Sequence, residues 1–395
     1  VLPSLALIDS VQESIIKNIP NISDIDTLSG IFKEIGLNTK RNIEEKTISI
    51  SGNIKANTLS NEYVPKIRAS SLFLGVLLAM TGEVHMPFCG GDQIGARPLD
   101  IHFYVFDKFN IDTEIKDGYI HCKAREFPLQ HATIYLRYPS VGATENALLL
   151  ASKAVGTTYI YNAACEPEIT DMAVALTKMG IKIYGAGTPI IRVTGCQTEL
   201  VPIVHEVIPD RLELCTFLLS IICTHGKGVI KGGIPEHCIS VIHTLSDSGV
   251  QIDYDEDGTI YVDATSGIFK PIKIQALPYP GVPTDVQPLL AVFSALCQGN
   301  SDIQDTVFRD RFSYVNEFLK MGVDMTHLYD HLFVTGPQTF QSASVHGADI
   351  RAASALLLAA LCAEKETILT GFEHIQRGYE DFENKLTGLG ADIFH

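Results

Sequence analysis

The chain has 395 residues, 46 % of them hydrophobic and 19 % charged, with a formal net charge of −16. That composition fits a globular protein with room for two domains, and it excludes a disordered chain. The acidic balance argues against a nucleic-acid partner, and the longest apolar run, residues 71–80, is too short to cross a bilayer, so no membrane partner is expected.

Nine cysteines at irregular spacing, with no Cys-x-x-Cys pair, point to reduced buried thiols rather than a disulfide framework or a zinc site. No basic, cleavable leader is visible at the N-terminus, so the cytoplasm is the expected compartment.

In chain order, one phrase recurs: an apolar helix end, a glycine or similar residue, then two short alternating strands. It occurs at Ile35-Gly36 ahead of Thr47-Ile48-Ser49-Ile50, and at Phe109-Asn110 ahead of Tyr119-Ile120-His121-Cys122. Met179-Gly180 and Ile190-Ile191-Arg192-Val193 follow, then Ser248-Gly249 and Thr259-Ile260-Tyr261-Val262. The last two are Met321-Gly322 with His331-Leu332-Phe333-Val334, and Leu389-Gly390 with Ala391-Asp392-Ile393-Phe394. A spacing of about 70 residues lies outside the common solenoid periods. The glycine reads as a helix C-cap and the alternation after it as a hairpin.

Between these markers each copy carries a first helix (68–80, 142–155, 211–224, 284–298 and 351–363), an apolar strand such as Thr157-Thr158-Tyr159-Ile160, and a second helix. The fold class is therefore α/β, with helix, strand, helix and hairpin as the unit. Three units per domain give two similar domains, 1–207 and 208–395. The arithmetic also places Val1 inside a first helix, with Leu2, Leu5, Ile8 and Val11 on one face. On that count about 25 residues of the repeat precede Val1, and the final strand belongs with a segment outside the given sequence.

Polar clusters fall at equivalent places. Lys66-Ile-Arg68, residues 139–144, Pro209-Asp-Arg211, Pro283-Thr-Asp285 and residues 347–351 open the first helices. Asp24 and Asp26, the loop 92–97, Glu166-Pro-Glu168, Arg309-Asp-Arg311 and His374-Ile-Gln-Arg377 open the second ones. Ser140, Thr144, Asp24 and Asp26 read as helix caps. Five arginines, Arg68, Arg97, Arg311, Arg351 and Arg377, sit at helix starts, which already attract anions and where a guanidinium can hold phosphate or carboxylate bidentately. With helix starts turned inward, these groups are expected to meet in a cleft between the domains.

The stretch 88–102 stands out. Gly90, Gly91 and Gly95 allow a tight backbone that can approach a ligand closely, Asp92 and Arg97 lie on it, and Arg97-Pro-Leu-Asp-Ile-His102 leads into a helix N-terminus. A mobile catalytic loop is expected over about 88–98.

These motifs carry a resemblance. Lys66-Ile-Arg-Ala-Ser70, Gly90-Gly-Asp-Gln-Ile-Gly-Ala-Arg-Pro-Leu-Asp-Ile-His102, Ser140-Val-Gly-Ala-Thr-Glu-Asn146, Asn162-Ala-Ala-Cys-Glu-Pro-Glu-Ile169, Pro209-Asp-Arg211, Pro283-Thr-Asp285, Asp349-Ile-Arg-Ala-Ala353 and His374-Ile-Gln-Arg-Gly-Tyr379 span the chain. In that order they resemble the UDP-N-acetylglucosamine 1-carboxyvinyltransferases among the enolpyruvyl transferases. The resemblance implies two inside-out α/β domains of three units each. It also implies a monomer, no cofactor and no metal, and two small-molecule partners, phosphoenolpyruvate and UDP-N-acetylglucosamine. The implied reaction passes the enolpyruvyl group to the sugar 3′-hydroxyl and releases phosphate, the first committed step of peptidoglycan synthesis.

By the match, Arg97, Arg351 and Arg377 clamp phosphoenolpyruvate, Asp92 protonates its methylene carbon, and Asp285 takes the hydroxyl proton. Arg68, Arg97, Pro98, Leu99, Asp100, Ile101, Tyr138, Pro139, Ser140, Val141, Asp285 and Val307 hold the nucleotide sugar, with Gly142, Arg311 and Asp349 as further candidates.

Three departures from the family pattern bear on this. Most members carry cysteine where Asp92 stands. A carboxyl is ionised at neutral pH, and lifting its pKa by three units takes about 4 kcal/mol, which burial on loop closure can supply. Cys89 reads as a buried small hydrophobe rather than a substitute for it. Tyr138 replaces a phosphate-facing lysine and Arg309 an acidic residue. The family's Lys-Asn pair belongs to the segment expected before Val1, which puts the activity of the chain as given in doubt. Alternatives are an enolpyruvyl transferase with another nucleotide acceptor, or a non-catalytic ligand-binding relic.

Overall fold

The computed structural model describes every residue except Gln93, Ala96 and His395. By its internal contacts the chain separates into two compact units, one holding Val1–Asp92 and Arg97–Ile208 and the other the chain from Pro209 onward.

The first unit opens on a 3-10 turn, Leu2–Leu7, followed by β1 (Ser10–Lys17), α1 (Ser23–Glu34), β2 (Leu37–Asn42) and β3 (Thr47–Gly52). Two further 3-10 turns, Val64–Lys66 and Arg68–Ser71, lead into α2 (Leu72–Thr81), β4 (Glu83–Pro87), α3 (Asp100–Lys108), β5 (Ile111–Lys116) and β6 (Tyr119–Ala124). Then come β7 (Thr133–Tyr135), α4 (Val141–Lys153), β8 (Thr157–Tyr161), α5 (Pro167–Lys178), β9 (Lys182–Tyr184), β10 (Ile190–Thr194) and β11 (Val204–Glu206).

Three sheets result, in the orders β11-β1-β3-β2, β4-β6-β5 and β7-β8-β10-β9. β1 runs parallel to β11, pairing Ile15 with Val204 and Lys17 with Glu206.

Burial explains the layering. Leu2–Leu7 and the whole run from Leu72 to Ala79 of α2 are buried, so α2 has no polar face. α4 packs on α2, and α2 on the first 3-10 turn. α1 and α5 bury one stripe each, Ile25, Leu28, Ile31 and Phe32 in one, and Ile169, Met172, Ala173 and Leu176 among those of the other. The apolar helices are therefore the interior, and the sheets and amphipathic helices cover them: the inside-out arrangement.

The second unit repeats this. α6 (Arg211–Cys223), β12 (Lys227–Ile230), α7 (Ile239–Asp247), β13 (Gln251–Tyr254) and β14 (Ile260–Asp263) come first. β15 (Lys273–Ala276), a 3-10 turn Thr284–Val286, α8 (Gln287–Leu296), β16 (Gly299–Asp305), α9 (Val315–Lys320), β17 (Met325–Leu328) and β18 (His331–Gly336) follow. β19 (Ser344–His346), α10 (Ile350–Leu361), β20 (Ile368–Thr370), α11 (Phe372–Gly378) and α12 (Phe382–Gly388) complete it. Its sheets are β12-β14-β13, β15-β16-β18-β17 and β19-β20. The apolar helices α6, α8 and α10 pack on one another.

Four expectations change. Residues 2–7 form a 3-10 turn, and Asp9, at φ +50, turns the chain into β1, so Val11 is a strand residue at 78 % exposure rather than part of a helix face. Residues 391–394 carry no strand, because no described strand makes a ladder with them. Asp24 and Asp26 lie inside the first turn of α1 and Ile22 holds the cap position, so neither caps it; Asp26 pairs with Arg41 at 2.6 Å instead. Arg377 sits in the last turn of α11 rather than at a helix start. Tyr379 is extended and Asp381 left-handed at φ +52, which splits the second helix of that repeat in two.

Candidate active site

In the first unit the predicted residues gather at the starts of three helical segments. Arg68 opens the 3-10 turn ahead of α2, and its guanidinium donates to the Pro98 carbonyl at 3.4 Å. Burial lowers the Arg68 pKa from the usual guanidinium range.

The glycines of the loop are forced by close approach. A Cβ on Gly90 would sit 1.5 Å from the Pro65 carbonyl oxygen, which only a glycine avoids. Gly91, at φ +106, brings the backbone to the Arg68 side chain and to Arg97 Nη1, with a built Cβ 3.0 and 3.2 Å away. Asp92 and Arg97 follow, both partly buried; the expected loop 88–98 also includes Gln93 and Ala96, which lie outside the described residues. Cys89 is a partly buried thiol whose pKa burial raises, which suits a packing role rather than a nucleophile.

Leu99 is buried at the head of α3, Pro98 and Asp100 are exposed, and Ile101 is half-buried. Asp100 forms an ion pair with Arg137. At α4, Ser140 caps the helix as expected, accepting from the Ala143 N–H at 3.4 Å. Thr144 does not cap it. Its hydroxyl donates to the Ser140 carbonyl at 2.8 Å and accepts from the Ala164 N–H at 3.0 Å, tying α4 to the turn before α5. Tyr138 is exposed, while Pro139, Val141 and Gly142 are half-buried beside it.

The second unit has its own cluster. Asp285, in the 3-10 turn before α8, pairs with Arg311 at 2.5 Å and lies 4.0 Å from Arg351 Nε. Arg311 is only 4 % exposed and also donates to the Thr284 hydroxyl at 3.2 Å. Thr284 in turn donates to Asp305 Oδ2 at 2.6 Å, and Asp305 Oδ1 accepts from the Val307 and Phe308 N–H groups, both at 2.9 Å. One buried carboxylate thus fixes both the Thr284–Asp285 turn and the Val307 backbone.

Arg351 donates to the Tyr379 hydroxyl at 2.7 Å, which is 2.8 Å from the Thr216 hydroxyl. Burial works against the Arg351 charge, yet Tyr379, Asp285 and Asp210 outweigh it and raise its pKa, so it stays a fixed cation. Asp349 is a cap: Oδ1 accepts from the N–H groups of Arg351 and Ala352 at 2.9 and 3.0 Å. Arg377 is half-buried in α11.

A carboxylate between two guanidiniums at a helix head can accept a proton while the cations beside it hold anions. The glycine loop with its carboxyl and two arginines can close on a small anionic ligand. Sequence reasoning missed Asp305, Tyr379 and the pair His102–Asn146, although the last three lie within motifs it quoted. Their signal is tertiary: each works through a partner distant in the chain. Among the described residues no group of three or more histidine, cysteine or acidic side chains could hold a metal ion.

The comparisons agree with this picture. The family model described as EPSP synthase (3-phosphoshikimate 1-carboxyvinyltransferase) matches residues 5–386. A UDP-N-acetylglucosamine 1-carboxyvinyltransferase 2 from Carboxydothermus hydrogenoformans is 39 % identical over 95 % of this chain and 88 % of its own length. A UDP-N-acetylglucosamine 1-carboxyvinyltransferase 1 from Staphylococcus aureus is 37 % identical over 100 % and 93 %.

Among solved structures, the enolpyruvyl transferase NikO from Streptomyces tendae superposes with a TM-score of 0.89 at 25 % identity, covering 100 % of this chain and 93 % of that one. EPSP synthase from Acinetobacter baumannii shares the fold, with a TM-score of 0.71 at 18 % identity over 100 % and 95 %. With a family model spanning nearly its whole length and relatives this similar, the chain belongs to the EPSP synthase family of enolpyruvyl transferases, the carboxyvinyltransferases.

Proposed function

We propose that the protein transfers the enolpyruvyl group of phosphoenolpyruvate to the 3′-hydroxyl of UDP-N-acetylglucosamine, the step that commits the nucleotide sugar to peptidoglycan. The observation that carries this reading is Asp285, a carboxylate fixed 2.5 Å from the buried Arg311 and 4.0 Å from Arg351, in a chain 37–39 % identical over its length to relatives with that name.

In this reading Arg97, Arg351 and Arg377 hold the phosphate and carboxylate of phosphoenolpyruvate. Asp92 gives its proton to the methylene carbon, the sugar oxygen bonds to the adjacent carbon, and Asp285 receives the hydroxyl proton. The tetrahedral ketal then loses a methyl proton and phosphate, which restores the double bond. Arg68, residues 97–101, 138–141 and Val307 hold the nucleotide sugar, with the capped start of α4 and the head of α3 offering backbone N–H groups to its phosphates. Arg311 orients Asp285.

A second acceptor is favoured by one observation. Tyr138 and Arg309, both exposed, stand where the family pattern has a lysine and an acid, which favours another nucleotide acceptor.

Phosphate release is to be measured with phosphoenolpyruvate and UDP-N-acetylglucosamine, and in parallel with free nucleotides, with product masses recorded. Turnover and a mass gain of one enolpyruvyl group on the sugar nucleotide support the first reading. Gain only on another nucleotide supports the second, and release with none overturns both. Among the described residues no helix is long and apolar enough to cross a membrane; we assign the activity to the cytoplasm and to a monomer.

A further inference from the structure

Asn146 is fully buried in α4, in the second turn beyond the Ser140 cap. Its Oδ1 accepts from the Gly75 N–H at 2.9 Å, and its Nδ2 donates to the Ser71 carbonyl at 3.2 Å. Residues 71 and 75 are the i−4 and i partners of the first turn of α2, so one side-chain amide from α4 bridges the two backbone groups that this turn would join.

The second Nδ2 hydrogen points at His102 Nδ1, 2.8 Å away on α3. With Oδ1 committed to an N–H, the amide orientation is set, and His102 must be the acceptor: a neutral imidazole with its proton on Nε2. Burial, and secondarily Arg68, pull the His102 pKa down to about 3, in keeping with that form.

The neighbouring backbones are shaped to the pair. A Cβ on Gly75 would lie 2.3 Å from Asn146 Oδ1, and a Cβ on Gly142, in the first turn of α4, 2.9 Å from His102 Cε1. Buried amides and imidazoles cost stability unless every polar atom is matched, and an apolar residue would fill the space more cheaply.

We propose that Asn146 is a positioning residue for nucleotide-sugar binding: bonded to α2 and to His102 of α3 from within α4, it locks together the three helix starts that carry Arg68, Asp100–Ile101 and Ser140–Gly142. The role rests on the acceptor assigned above. Asn146 touches no reacting atom, so its loss loosens the grip on the nucleotide and leaves the chemical step nearly intact.

The test uses the complete chain and four variants. Asn146→Leu keeps the branched outline and His102→Leu an apolar side chain of similar volume, and both remove the bonds. His102→Asn keeps an acceptor near the Nδ1 position, and Gly75→Ala drives the amide out. Circular dichroism establishes that each folds. Affinity for UDP-N-acetylglucosamine is read by calorimetry, and KM and kcat by phosphate release.

Asn146→Leu, His102→Leu and Gly75→Ala are expected to weaken binding and raise the nucleotide-sugar KM about tenfold, with kcat within about twofold. His102→Asn is expected to stay within about threefold of the unsubstituted protein. Nitrogen-15 shifts of the His102 ring should show the neutral Nε2–H form at pH 7, perturbed in Asn146→Leu.

A folded Asn146→Leu variant with unchanged affinity, or a His102 ring protonated on Nδ1, overturns the positioning role alone. Failure of the unsubstituted protein to bind the nucleotide sugar overturns the acceptor assignment, and this role with it.

Discussion

The two units solve the same problem with different chemistry. Around the buried α4 the first unit uses neutral groups: the Ser140 hydroxyl on the Ala143 N–H, the Thr144 hydroxyl, and the Asn146 amide joined to His102. At the equivalent places the second unit uses charge: Asp285 on Arg311, Asp305 on Thr284, Asp349 on the α10 N–H groups, Arg351 on Tyr379.

Neutral hydrogen bonds contribute about 0.5–1.5 kcal/mol each and carry no net charge to screen. Charged ones contribute about 1.5–3 kcal/mol and leave an uncompensated ion when one partner is lost. A neutral frame holds a shape, whereas a charged one holds a proton acceptor and an anion. On the proposed reading, the neutral frame around α4 serves recognition of the nucleotide sugar, and the charged cluster around Asp285 serves the hydroxyl proton.

The sharpest way to break that assignment is Asp285→Asn, which keeps the turn and removes the base. Turnover is expected to fall at least about a hundredfold while nucleotide-sugar affinity is retained, in steady-state and calorimetric measurements. Near-normal turnover would remove Asp285 from the mechanism.

Asp92 lies outside that neutral frame, on the loop that also carries Arg97 and leads to the Asp100–Arg137 ion pair. Asp92→Ala should cost about a hundredfold or more in turnover. Asp92→Cys should acquire a covalent fosfomycin adduct in intact-mass analysis, because a thiolate attacks an epoxide far faster than a carboxyl group does. An adduct on the unsubstituted protein would contradict that placement of the acid.

A smaller effect is expected from Arg351→Gln. The phosphoenolpyruvate KM should rise at least tenfold, and chemical denaturation should show a loss of about 2 kcal/mol, since Asp285 and Tyr379 lose a charged partner. Unchanged stability would mean that the second cluster is not held by charge.

The last test is an acid titration of the neutral frame. His102 has a pKa of about 3 when folded against about 6.5 for a free imidazole, so on acidification the unfolded chain takes the proton first. The stabilisation from a neutral His102 is complete above about pH 6.5 and is lost at up to about 1.4 kcal/mol per pH unit as the pH falls toward 3. Denaturation midpoints from pH 7 to 4 should fall less steeply in His102→Asn. Parallel slopes would show that His102 is not held neutral.

Much of this was legible in the residues, and the reasons differ from place to place. The recurring glycine and hairpin reported the repeat because a C-cap and a period-two alternation are local signals, and five of the six hairpin second strands lie where they were expected, as β3, β6, β10, β14 and β18. The sixth was misread because a strand exists only against a partner, which the alternation in residues 391–394 cannot report.

Arg351 and Arg68 were readable as helix-start cations. Arg377 was not, because the break at residues 379–381 depends on a left-handed Asp381 that no turn signature announces. The role of Asn146 has no local signal, since its partners Ser71, Gly75 and His102 come from two other helices. Asp305 shares the buried face of β16 with Ser301 and Ile303, and its partner Thr284, which makes that burial tolerable for a carboxylate, is 21 positions away.

The pairing of β1 with β11 sets a schedule for making the protein. The N–H of Ile15 donates to the Ile203 carbonyl at 2.8 Å, and the Ile203 N–H reaches the Ser14 hydroxyl at 3.2 Å, across 189 positions of chain. At about 5–20 residues per second, the ribosome leaves one edge of β1 uncovered for roughly 10–40 s before β11 is made. During that interval Ile15 and its neighbours present an unpaired strand edge to every other nascent chain nearby. The exposed Gln12 and Glu13 along β1, and the exposed charge of Lys17 at its end, are the features that keep such a waiting edge from pairing with a stranger.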